Sequence, residues 1–72
     1  EVMIKKIIEG SCKAVKEDTY SVMVDSVDNM CILLKDNYKG TSLNVVLDKE
    51  DALKLANNIL DCYNGKGEYE NV

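Results

Sequence analysis

The chain of 72 residues has no histidine, arginine, proline, tryptophan or phenylalanine. Without histidine there is no side chain whose ordinary pKa sits near neutrality. General acid–base catalysis would have to rest on a perturbed carboxylate, thiol or lysine. Without arginine the chain lacks the planar fork that grips phosphates two bonds at a time. Thirteen acidic residues against nine lysines leave a net charge of −4, which works further against direct nucleic-acid binding, because that affinity comes from neutralising phosphates. Long apolar runs are also missing: none approaches the roughly 18 residues of a membrane-crossing helix. Near the start, Lys5 and Lys6 interrupt Val2-Met3-Ile4 before a signal-peptide stretch can develop. The expectation is a soluble, cytoplasmic protein with no membrane partner. Abundant Lys, Asn, Ile and Asp with no Arg is the bias of an AT-rich coding sequence, and suggests a low-GC bacterium or its phage.

Cysteine is scarce and its count is odd. Cys12, Cys31 and Cys62 have long, unequal spacings that match neither a disulfide framework nor a Cys-x-x-Cys metal knuckle. They read as reduced thiols used as small buried hydrophobes. Cys12 beside Lys13 is the nearest approach to an activated thiol, but alternation along a strand would send the two side chains to opposite faces. The carboxylates at Glu17-Asp18, Asp25 with Asp28, and Asp48-Glu50-Asp51 lack calcium-loop spacing and suit turns and caps. Gly65-Lys66-Gly67 follows a helix instead of opening one, so it cannot cradle a phosphate as a P-loop does. No catalytic residue, metal site or cofactor is expected, and the chain reads as non-enzymatic.

At 46% apolar and 31% charged, the chain is too hydrophobic for disorder, and its length suffices for a single domain, residues 1–65, followed by a polar tail, 66–72, expected to be flexible. The clearest element is a helix after Leu47. Asp48 can cap it, Glu50 and Asp51 place negative charge in its first turn, and Asn64-Gly65 can close it. At 100° per residue, Ala52, Leu53, Leu55, Ala56, Ile59, Leu60, Cys62 and Tyr63 fill an arc of about 180°, wide enough to pack across a sheet, so half the helix is expected to be buried.

Upstream, residues 41–47 alternate with Leu43, Val45 and Leu47 on one side, 30–35 form a continuous apolar run, and 20–27 are rich in β-branched residues. Asp28-Asn29 suits a tight hairpin, and residues 36–40 a longer loop ending in glycine. The first eighteen residues fit either helix or strand. Gly10, costly inside a helix and usable as a bulge in a strand, favours strand, with Glu17-Asp18-Thr19 as the following turn. The expected fold is α+β: an antiparallel meander of three to four strands packed by one C-terminal amphipathic helix, in the order ββββα, with αβββα as the alternative.

The run Met30 to Leu34 does not alternate, as an antiparallel strand with one wet face should, and Val22-Met23-Val24 repeats the pattern on the neighbouring strand. One helix covers one face. The other would need the N-terminal segment, a second copy of the chain or a different protein. Met23, Met30 and Ile32 are therefore candidate interaction residues. Tyr38, flanked by Asp36 and Lys39 in a polar loop, is a second candidate surface, since tyrosine is favoured at binding hot spots. Sheet-centre residues that tolerate partial exposure, and a Tyr38 folded over the sheet edge, are the plainer explanations.

These features suggest a small protein-interaction module, a regulator or inhibitor, whose partner is another protein or itself as a homodimer. A binder of a small anionic ligand or second messenger at a dimer interface, drawing on Lys13, Lys16, Lys35 and Lys39, is an alternative, as is a structural subunit of a larger assembly.

Overall fold

A computed structural model describes residues 3–65; the expected tail, 66–72, lies outside the described residues. Four strands, β1 (Ile4–Ser11), β2 (Thr19–Asp25), β3 (Met30–Asp36) and β4 (Thr41–Leu47), are followed by one helix, α1 (Lys49–Tyr63). The strands form one antiparallel sheet in the order β1-β2-β3-β4, a meander in which each strand pairs with its neighbour in sequence. The order is thus ββββα, and the N-terminal segment is an edge strand of the sheet.

Each hairpin is closed by local chemistry. Between β2 and β3, Asp25 Oδ1 accepts hydrogen bonds from Val27 N at 3.0 Å and Asn29 N at 2.9 Å, and Asp28 takes the left-handed conformation, φ 67°. Asn29 O accepts from Asp25 N at 2.9 Å, so three residues form the loop, with the left-handed one last. Between β3 and β4, Asp36 Oδ1 accepts from Tyr38 N at 3.1 Å and Lys39 N at 3.0 Å, while Gly40, φ +70°, turns the chain back into β4. The β1–β2 connection is longer than the expected turn at residues 17–19. It spans residues 12–18 and is drawn together by Cys12 N donating to Asp18 O at 2.8 Å and by Val15 N donating to Cys12 Sγ at 3.5 Å.

Two local expectations are corrected. The irregularity in β1 lies between Lys6 and Ile8, where Ile7 is the extra residue, and not at Gly10, which pairs with Tyr20. Gly10 serves a different purpose: a Cβ there would lie 2.6 Å from Tyr20 Oη, so the glycine leaves room for the tyrosine ring of the next strand. The cysteines are also less hidden than expected. All three are free; Cys12 and Cys31 are half-buried and Cys62 is exposed, because the helix side carrying Cys62 is itself uncovered.

The helix has the expected ends. Asp48 accepts from Asp51 N at 2.8 Å, and Gly65 at φ +76° ends it, with Gly65 N donating to Cys62 O at 3.3 Å. Its expected burial does not occur within the chain. Within the chain α1 meets chiefly β4 and has no buried residue; Leu53 is 53% exposed and Leu60 58%. Asp48 alone separates the last residue of β4 from the first of α1, a shorter link than those that usually let a helix turn back over the strand that precedes it. No helix among the described residues is long and apolar enough to cross a membrane.

Candidate functional site

Paired residues of an antiparallel sheet share a face, so the register sorts the side chains. Gly10 apart, one face carries Lys5 and Ile8 from β1, Tyr20, Val22 and Val24 from β2, Met30, Ile32, Leu34 and Asp36 from β3, and Thr41, Leu43, Val45 and Leu47 from β4. Apart from Lys5 on β1 and the pair Asp36 and Thr41 at the β3–β4 turn, it is apolar. The opposite face carries Lys6, Glu9 and Ser11, Thr19, Ser21 and Asp25, Lys35, and Ser42 and Asn44, with apolar residues confined to Leu33, to Met23, Cys31 and Val46 in the row that Lys6 begins, and to Ile4 opposite Asp25. Cys31 Sγ donates to the Asn44 side chain on this second face.

No element among the described residues closes over the apolar face. Among the described residues none is buried. The central strands β2 and β3 are half-buried over most of their length, whereas β4, with Leu43 59% exposed and Val45 41%, is open to solvent. Of the three covers that the sequence allows for, the N-terminal segment is removed by its place in the sheet as β1. Burial of side chains like these is what normally offsets the entropy of ordering a chain, at about 1.5–3 kcal/mol for each fully buried Val, Leu or Ile. A sheet and a helix that both leave their apolar sides in water forgo most of that term.

The six residues singled out from the sequence divide into three groups. Met30 and Ile32 lie on the apolar face, and Met23 lies on the other. Asp36, Tyr38 and Lys39 belong to the β3–β4 turn, where the Asp36 carboxylate is occupied in holding the turn's amides and Tyr38 projects 90% exposed instead of folding over the sheet edge. Among the other members of the apolar face, Val22 and Leu34 belong to the non-alternating runs of β2 and β3, and Leu43 and Val45 to the alternation of β4, whereas Ile8 and Tyr20 become visible only once the register is known.

Lys13 and Lys16, in the β1–β2 loop, lie at the same end of the sheet as Lys39 and the end of β3 that carries Lys35. Asn37 joins these loops by donating to Glu17 O at 2.7 Å. A hollow of about 570 Å³ at this end is lined by Cys12, Asp18, Tyr20, Leu34, Lys35 and Asp36 among others. Asp18 Oδ1 is buried and has no hydrogen-bond partner. Two carboxylates and one lysine on the wall disfavour an anionic ligand. Among the described residues there is no group of three or more His, Cys, Asp or Glu placed to hold a metal ion. Compared with protein-family models, with curated proteins and with solved structures, the chain matches none of them.

Proposed function

We propose that this chain is a non-enzymatic protein-interaction module, a small regulator or inhibitor from a low-GC bacterium or its phage, whose apolar sheet face is closed by another protein chain. One observation carries the reading: an α+β fold with regular hairpins and a capped helix has no buried residue among those described, although 46% of the sequence is apolar. Uncovered apolar surface on this scale marks an interface. The β3–β4 turn, with Tyr38 and Lys39 projecting, is a second contact surface that stays free when the sheet face is covered. Tyrosine offers a large, stiff contact area at low entropic cost, which suits such a position.

The test is hydrogen exchange combined with binding of a hydrophobic dye, on the purified chain diluted stepwise to nanomolar concentration. Deprived of its cover, the chain is expected to bind the dye and to lose protection at the β2 and β3 amides. A fully dilute chain that excludes the dye and keeps those amides protected would refute the reading, because the sheet face would then be stable in water.

A further inference from the structure

Resting on that reading, we infer that the chain covering the apolar sheet face is a second copy of this one, and that cover is reciprocal: the apolar side of α1 from each copy lies across the apolar face of the other copy's sheet.

Four observations converge on this arrangement. The first is area. The chain exposes 6474 Å², whereas a compact folded chain of this mass exposes about 4,500 Å². The excess is about 2,000 Å² per chain, and two copies that each hide even half of it reach the roughly 2,000–5,000 Å² of obligate homodimers. The second is shape. An apolar arc of about 180° is too wide for the narrow seam between two helices and matches a sheet. The third is length. Fifteen helical residues rise about 22 Å, and the seven-residue strands β2, β3 and β4 extend about 23 Å, so one helix spans one sheet. The fourth is connectivity. The single residue Asp48 between β4 and α1 is shorter than the links that usually return a helix over its own strands, and short connections of this kind are where elements exchange between copies. A different protein would have to supply both a helix for the sheet and a sheet for the helix. A second copy supplies both at once, through one two-fold operation.

The experiment is mass measurement in solution on the full chain and on three aspartate variants. Val45→Asp places a charge on the apolar face, Ile59→Asp places one at the centre of the helix's apolar arc, and Val46→Asp alters the opposite face of the same strand as Val45. The unaltered chain is expected to have twice the 8.0 kDa of one copy. Val46→Asp is expected to keep that mass. Val45→Asp and Ile59→Asp, each alone, are expected to lose the dimer, with association weakened about a hundredfold or more by the unpaired buried charge. Mixed, the two broken variants are expected to dimerise again. In the mixed pair one helix–sheet contact is wild-type on both sides, and because both substitutions introduce the same charge, recovery cannot come from a new ion pair.

A dimer insensitive to either Val45→Asp or Ile59→Asp, or no recovery on mixing, would overturn the reciprocal arrangement. A chain that stays monomeric and dye-binding at every concentration would overturn the second copy as the cover while leaving the interaction-module reading in place. A folded, dye-excluding monomer at every concentration would overturn both.

Discussion

Asp25 and Asp36 perform the same task at opposite ends of β3: a carboxylate at the end of a strand accepts two amides of the following turn, groups that would otherwise face solvent without a fixed partner. Removing such an acceptor costs about 1–2 kcal/mol. Asp36→Ala is therefore expected to lower the urea-unfolding stability by that amount at fixed protein concentration, while Tyr38→Ala, which truncates a ring 90% exposed, should change it by less than about 0.5 kcal/mol. A Tyr38→Ala effect as large as that of Asp36→Ala would mean that the ring packs against something. Gly10 gives a second comparison. Gly10→Ala sets a methyl 2.6 Å from Tyr20 Oη and is expected to destabilise by about 1 kcal/mol as the ring is displaced, a penalty that should vanish in a Tyr20→Ala background. Turn aspartates and glycines were legible in the sequence as turn formers. The pairing of Gly10 with Tyr20 was not, because it depends on a register that the bulge at Ile7 shifts by one residue.

At the scale of elements, local pattern carried most of the fold. The alternation Leu43, Val45, Leu47 marked β4, the β-branched and apolar runs marked β2 and β3, and Asp48 with Asn64-Gly65 marked both ends of α1. Asp48→Ala is expected to cost about 1 kcal/mol through loss of its bond from Asp51 N, measurable as a lower unfolding midpoint and reduced helical circular dichroism. What the sequence left hidden was where α1 packs. Asp48 reads as a cap, and its second role, as the entire connection between β4 and α1, constrains direction through chain geometry that no hydrophobic periodicity records. The two faces of the sheet differ for a similar reason. Continuous runs such as residues 30–34 hide which side is the apolar one until pairing with Leu43, Val45 and Leu47 on β4 sets Met30, Ile32 and Leu34 together.

At the scale of the molecule, a radius of gyration of 14.4 Å exceeds the roughly 11 Å of a compact chain of this length. Under the reciprocal arrangement inferred above, folding and association are one event, and stability has no meaning apart from concentration. The measurement that tests this most directly is the urea-unfolding midpoint of the full chain across a hundredfold range of protein concentration. For two copies that unfold as they separate, each tenfold rise in concentration is expected to add about 1.4 kcal/mol to the apparent stability and to move the midpoint upward. A midpoint that stays fixed over the whole range, with the same cooperativity, would show that one chain folds alone and that its sheet and helix need no second copy.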